Sequence, residues 1–386
     1  MRARPILPVL VAALLVAPPG RPAAATTVGP RVAARHAILV DADGGAVLWG
    51  RASRTARPPA SLTKMLTALA VRVSLDLDGR VAASRVAARQ PARRLAVRRG
   101  QRLTVEQALK ALMIVSANDV AVMLAEGAGG SVGRFARAMD AESERLGLRS
   151  SRWRNPHGLD APGHRSSAFD LAILARAVLR DRESGSRITK TTGSLRRSGR
   201  TSVMREPFSL ARVVRLRRTA FTSPSGRRHT LTARSRFLLG YRGAVGIKTG
   251  LTDDAGHCLA AAATRHGRTL IAIVLDSPDN AADAGRMLDW GFGRGRSART
   301  GLRLPAYVAP ASVASLLVRP PRAVERHRPP VHRAATGATG GEPRPDGSAA
   351  QGSGRAAARA ATGAGATAAL LATFGLVMRR RRRGQA

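Results

Sequence analysis

Apolar positions along this chain follow two different periods. Ala37 to Val40 and Ala46 to Trp49 are short apolar runs flanking Asp41-Ala42-Asp43-Gly44-Gly45, the pattern of two strands joined by a turn. From Ser61 the period lengthens: Leu62, Met65, Leu66 and Leu69 recur at helical spacing and share one stripe. Thr104 and Gln107 stand three residues apart, a capping box for a second helix whose Leu109 and Leu112 face inward. Asp119 to Glu126 reads as a third helix stopped by Gly127. Ser131 caps a fourth, with Val132, Phe135 and Met139 on its apolar face and Gly147 ending it. Strands return at 244–248, 257–264 and 269–275, and a last helix is predicted over 281–290. Strands at both ends with helices between them predict an α+β fold, an antiparallel sheet flanked by helices plus a helical subdomain. The short link between 264 and 269 is too brief for a parallel crossover.

The two ends of the chain read differently from its body. Arg2 and Arg4 precede an apolar run from Ile6 to Ala17, and Ala23-Ala24-Ala25 supplies a small-residue cleavage site, so 1–25 is expected to be a secretory signal peptide. Residues 319–359 are rich in Pro, Gly, Ala, Ser and Arg with no apolar period, as in a disordered tether. Residues 360–378 carry no charge, and at 1.5 Å each would extend roughly 28 Å as a helix, close to a bilayer core. Arg379 to Arg383 follow directly, and a basic block of this kind stays cytoplasmic, making 379–386 a cytoplasmic tail. The expectation is a catalytic-size body, 26–318, on the outer face of a cell membrane, secreted and held by a C-terminal helix.

Charge narrows the partners without naming a function. The formal net charge is +41, which invites a nucleic-acid reading, but aromatic residues make up only 3% of the chain and offer little for bases to stack on. The arginines are also spread along the whole sequence rather than gathered in one stripe, so no nucleic-acid partner is expected. Cys258 is the single cysteine, which excludes an intrachain disulfide, and its apolar surroundings make it a packing residue.

Composition sharpens the candidate chemistry. Only four of the 65 basic residues are lysine (Lys64, Lys110, Lys190 and Lys248). Arginine cannot lose its proton in a protein, whereas a buried lysine can become a neutral base. Two of the four lysines stand in short polar motifs, Ser61-Leu62-Thr63-Lys64 and Lys248-Thr249-Gly250, and Ser116-Ala117-Asn118 lies between them. Ser61 and Lys64 fall on one helical face. A serine hydroxyl is a weak nucleophile that needs a base in hydrogen-bond reach, and Lys64 can serve if burial and a second cation, Lys248, lower its pKa. Ser116-Ala117-Asn118 falls in a break between two helices, where polar side chains can be aimed into a cleft. Lys248-Thr249-Gly250 closes an apolar strand, with a glycine that permits close backbone approach.

Together these are the S-x-x-K, S-x-N and K-T-G motifs in their usual order. Further stretches carry the same resemblance: Pro59 to Met65, Asn155-Pro156-His157-Gly158-Leu159-Asp160, Gly163-His164, Gly246 to Thr252, and Trp290-Gly291-Phe292. Residues 30–293 resemble the serine D-alanyl-D-alanine carboxypeptidases, the low-molecular-mass penicillin-binding proteins of peptidase family S11. The resemblance implies the β-lactamase/DD-peptidase fold and no cofactor or metal. It implies that Ser61 attacks the bond between two terminal D-alanines of a peptidoglycan stem peptide, Lys64 takes its proton, Ser116 passes a proton to the leaving amine, and Asn118 holds the substrate amide. The backbone N–H groups of Ser61 and Leu251 would form the oxyanion hole. Lys248, Thr249 and Thr252 would face the substrate carboxylate, with Gly250 in the same substrate-binding strand. β-Lactam antibiotics would acylate Ser61 as covalent inhibitors.

Two positions depart from the family pattern. Where relatives often carry a carboxylate-binding arginine shortly before the Trp-Gly-Phe, this chain has Asn280, and Arg286 comes later. Before the third motif, where asparagines are usual, it has Thr232-Ala233-Arg234-Ser235. A class A β-lactamase would need a deacylating E-x-x-L-N motif, which does not follow Glu142 or Glu144. A DD-endopeptidase acting on peptidoglycan cross-links, a zinc peptidase using His157, Asp160 and His164, and a non-catalytic wall-binding protein are the other readings.

Overall fold

The computed structural model describes residues 29–91, 93–181, 208–294 and 300–318. The expected signal peptide, tether, membrane span and basic tail lie outside the described residues. The predicted opening hairpin is present as β1 (His36–Asp41) and β2 (Val47–Arg51), paired antiparallel with Ala37 opposite Arg51. Near the other end follow β7 (Ala244–Thr252), β8 (Gly256–Arg265) and β9 (Arg268–Leu275). These five strands form one sheet in the order β2-β1-β9-β8-β7, with antiparallel neighbours throughout. The chain thus closes its sheet by laying β9 beside β1.

Alternation along the central strands explains why the sheet is buried on both faces. Ile38, Val40, Ala260, Ala262, Ile271 and Ile273 point to one side, into the larger apolar cluster. Their neighbours Ala37, Leu39, Leu259, Ala261, Ala272 and Val274 point to the other. That second face is covered by α9 (Asn280–Gly293) through Ala284, Met287 and Leu288.

The larger side holds a helical layer. A 3₁₀ turn, Ala60–Thr63, runs into α1 (Lys64–Arg72), and Leu62, Met65, Leu66 and Leu69 are all buried as their spacing predicts. A short hairpin, β3 (Arg80–Ala82) with β4 (Arg102–Thr104), encloses the four-residue α2 (Arg85–Ala88). The expected capping box opens α3 (Val105–Ile114): Gln107 N–H donates to Thr104 Oγ1 and Thr104 N–H to Gln107 Oε1, both at 3.1 Å. Next come α4 (Asn118–Gly129) and α5 (Val132–Leu146), the latter capped by Ser131 and ended by left-handed Gly147 as expected. Gly127 does not stop α4. It lies inside the helix, where a Cβ would meet Val81 at 2.7 Å, and the left-handed stop is Gly130.

Several elements have no counterpart in the sequence pattern. Helix α6 (Ala168–Arg180) is buried on nearly every side between the sheet and α1, so it shows no polar stripe. A second hairpin, β5 (Arg218–Thr222) and β6 (Arg228–Thr232), exposes Arg218, Ala220, Thr222, Arg228, Thr230 and Thr232 and buries only His229 and Leu231. The short helices α7 (Leu210–Val213) and α8 (Arg236–Gly240) flank that hairpin. Residues 300–318 return to the body, ending in α10 (Val313–Val318), where Val313 N–H donates to Ser74 Oγ at 2.8 Å.

Candidate active site

Ser61 sits in the 3₁₀ turn and Lys64 at the first position of α1. Residues three apart eclipse one another in a 3₁₀ turn, which brings Lys64 Nζ to 2.8 Å from Ser61 Oγ. The same nitrogen lies 2.7 Å from Asn118 Oδ1 and 2.6 Å from the His157 carbonyl. Two of these three partners, the amide oxygen and the carbonyl, only accept. When Lys64 is a neutral amine, its two N–H groups satisfy them and its lone pair is left facing the one partner with a proton to give, Ser61. Lys64 is fully buried, and its pKa is held well below the ordinary lysine value, first by desolvation and then by the Lys248 and Arg93 charges. Burial and the Arg93 charge likewise push Lys248 down to about 7.

The segment carrying Ser61 is pinned from behind. Arg154 N–H donates to His164 Nδ1 at 3.0 Å, so Nε2 holds the ring proton and donates it to Thr63 Oγ1 at 2.9 Å. Thr63 in turn donates to the Ala60 carbonyl at 2.8 Å. Ala60 has a positive φ of 47°, and this relay holds the strained residue directly before the serine. Burial pushes His164 down to about 4 and His157 to about 3, so both rings are neutral. His157 Nδ1 accepts from Leu159 N–H, and Asp160 accepts from Thr252 Oγ1 at 2.7 Å. These hydrogen bonds give His157, Asp160 and His164 structural work, and among the described residues no group of three or more His, Cys, Asp or Glu side chains is placed to hold a metal ion.

Ser116 occupies the break between α3 and α4 with a positive φ of 63°. Its hydroxyl is buried and finds no hydrogen-bond partner among the described residues. Asn118 N–H donates to the Arg93 carbonyl at 2.7 Å, and the Asp119 carboxylate accepts from Leu95 and Val97 N–H. The loop bearing Arg93 is therefore locked to the start of α4.

Lys248, Thr249 and Gly250 form the β7 wall. Lys248 is buried and donates to the Thr249 carbonyl at 3.0 Å. A Cβ on Gly250 would stand 2.9 Å from Ala60 Cβ and 3.1 Å from Ser61 N, so this glycine allows the strand to approach the nucleophile turn itself. Leu251 is largely exposed at the strand edge. Thr252 stands apart from the cluster: its proton goes to Asp160 and its oxygen accepts from Ala255 N–H at 3.2 Å, which ties β7 to the 155–160 loop. Recesses open on both sides of Thr249. Ser116 and Lys248 line one, Leu251 and Asn280 line the other, and Arg93 and Arg234 line both. Sequence alone marks neither arginine as a site residue, because a chain so rich in arginine gives no sign of which will overhang a cleft.

A buried lysine against a serine, a second depressed lysine and a serine hydroxyl unpartnered among the described residues are the groups that serine acyl-transfer chemistry needs. The sequence pattern of the D-alanyl-D-alanine carboxypeptidase family matches residues 23–236. D-alanyl-D-alanine carboxypeptidase DacF of Bacillus subtilis is 31% identical over 267 residues, covering 67% of this chain and 62% of that protein. DacB2 of Mycobacterium tuberculosis is also 31% identical, over 68% of this chain and 84% of its own length. Among solved structures, a Mycobacterium tuberculosis D-alanyl-D-alanine carboxypeptidase superposes with a TM-score of 0.61 at 29% identity, covering 72% of this chain and 98% of that one. The Streptomyces K15 DD-transpeptidase gives 0.58 at 26% identity, over 69% and 99%. The chain belongs to the D-alanyl-D-alanine carboxypeptidase family and has its fold, and that family consists of serine hydrolases. The chain spans 62% of the length of the Bacillus relative, and 84% of the mycobacterial one.

Proposed function

We propose that this protein is a serine D-Ala-D-Ala carboxypeptidase that trims the terminal D-alanine from peptidoglycan stem peptides through a Ser61 acyl-enzyme. The observation that carries the reading is the 2.8 Å contact between Ser61 and a fully buried, pKa-depressed Lys64. Neutral Lys64 takes the Ser61 proton as the oxygen attacks the penultimate D-alanine carbonyl. Backbone N–H groups of Ser61 and Leu251 receive the developing oxyanion. The proton reaches the leaving amine through the Ser116 hydroxyl, which has no competing partner among the described residues. Asn118 orients both Lys64 and the substrate amide, while Lys248 and Thr249 face the carboxylate and Gly250 keeps β7 against the serine. Water then attacks the ester and releases the shortened peptide. The ring of a β-lactam opens onto Ser61 in the same way, with the residue 26–318 body as the acylated unit.

Such a substrate lies outside the cytoplasm. Among the described residues no helix is long and apolar enough to cross a membrane. We assign membrane attachment to 360–378 and secretion to the 1–25 signal peptide on their sequence patterns alone. Fractionation of the full chain against a chain ending at 318 tests the anchor: full-length protein in the membrane fraction and truncated protein released supports it, and equal partitioning refutes it.

The activity is tested by incubating purified protein with an N-acylated tripeptide ending in D-Ala-D-Ala and with a cross-linked stem-peptide dimer. Release of D-alanine from the first, abolished in Ser61→Ala, is the expected result. Cleavage of the dimer alone would replace carboxypeptidase action with endopeptidase action. Cleavage of neither, without penicillin acylation, would leave a wall-binding protein.

A further inference from the structure

The substrate of the proposed reaction ends in a carboxylate, and the cations around β7 are unequal in their ability to hold one. Asn280, at the start of α9, carries no charge, and its amide nitrogen donates to the Cys258 carbonyl at 3.0 Å. The only arginine of α9, Arg286, is paired with the buried Asp283 at 2.8 Å. Lys248 titrates near 7 and so supplies a full charge only below neutrality. Arg93 and Arg234 both line the two recesses that meet at Thr249. Arg234 is exposed, in the short link between β6 and α8, and no hydrogen bond or ion pair engages its guanidinium among the described residues. Its neighbour Arg236 is instead paired with Asp279 at 2.8 Å. A guanidinium keeps its charge at any working pH and matches a carboxylate with two parallel N–H donors.

We propose that Arg234, with Arg93 entering from the opposite loop, binds the terminal carboxylate of the substrate beside Thr249. The anchoring charge then comes from the β6–α8 link rather than from α9, and the two departures from the family pattern become one exchange: an arginine gained at 234 serves where Asn280 has none. This rests on the carboxypeptidase reading and specifies how that site selects chain ends.

The test compares wild type with Arg234→Gln and Arg286→Gln in the full chain, using the D-Ala-D-Ala tripeptide and the same peptide as its C-terminal amide. Loss of a charge-assisted contact predicts a kcat/KM about 10- to 100-fold lower for Arg234→Gln on the free acid, mostly through KM. The amide should change less than about twofold, and Arg93→Gln should show a smaller loss of the same selectivity. Arg286→Gln should match wild type on both. Equal losses on acid and amide, or an acid-specific loss in Arg286→Gln, would overturn the assignment. Penicillin acylation of wild type separates the two levels: with acylation intact, a failed acid–amide comparison removes only the role of Arg234. Without any acylation of wild type, the carboxypeptidase reading falls and the proposal is overturned with it.

Discussion

Asn118→Asp changes one atom type in a side chain whose oxygen lies 2.7 Å from Lys64 Nζ. The substitution replaces a neutral acceptor with a carboxylate at nearly the same shape and leaves the Ser61 contact in place. At an effective dielectric constant of about 20, a unit charge pair at 2.7 Å gains about 6 kcal/mol. Desolvation of the new carboxylate removes part of that gain, but even half of it raises the lysine pKa by about two pH units. Lys64 would then keep its proton to higher pH, its lone pair would be less available, and Ser61 would lose its base over that added range. The assay is the rate of penicillin acylation from pH 5 to pH 10. Expected is a drop of about 100-fold on the acid limb that is progressively recovered as pH rises, with that limb displaced upward by about two pH units. Asn118 is also placed against the substrate amide, so a uniform loss is expected on top. A loss that stays constant across pH, with the acid limb unmoved, would refute the neutral-lysine argument.

Three further outcomes follow from the same geometry. Ser116→Ala removes a hydroxyl with no partner among the described residues, so denaturant unfolding should shift by less than about 0.5 kcal/mol while peptide turnover falls about 10²- to 10⁴-fold; parallel losses in both would give Ser116 a structural role. Gly250→Ala places a methyl 2.9 Å from Ala60 Cβ, and should cost about 1–3 kcal/mol in stability and displace the Ser61 turn, read as slower acylation; unchanged acylation would contradict that packing. His157 and His164 have folded pKa values depressed to about 3 and about 4, so their contribution to stability is complete above the unfolded value of about 6.5 and declines as pH falls toward those values. Urea unfolding at pH 5 should show about 2 kcal/mol less stability per imidazole than at pH 7, and a flat profile would show that the rings are not held neutral.

Much of this site was legible because its chemistry is carried by residues the composition otherwise avoids. In a chain with 61 arginines, Lys64 and Lys248 stand out, and the structure buries both. The hairpin at 36–51, the Thr104 cap and the Ser131–Gly147 helix also followed from local patterns, since each is decided by turn or capping chemistry within a few residues. Elements decided by distant packing were not legible. Helix α6 is buried on almost all sides and carries no polar stripe, and Gly127 is small because Val81 lies against it, a contact made across 46 positions of sequence. The expected helix start at Ser61 is a 3₁₀ turn that begins at Ala60 with a positive φ of 47°, and the 155–160 loop approaches it so closely that a Cβ on Gly158 would overlap the Ala60 carbonyl, a contact no local pattern announces. Nothing in the local sequence around Thr252 shows that its hydroxyl donates to Asp160, a partner 92 positions away.

On the proposed function, Ser61 is the acylated nucleophile. Intact-mass measurement of the purified protein after brief exposure to penicillin, beside Ser61→Ala, tests it most directly. A gain of one penicillin mass is expected in the wild type and none in the variant. An equal adduct on both proteins, or none on a folded wild type that also leaves the penicillin unhydrolysed, would contradict it.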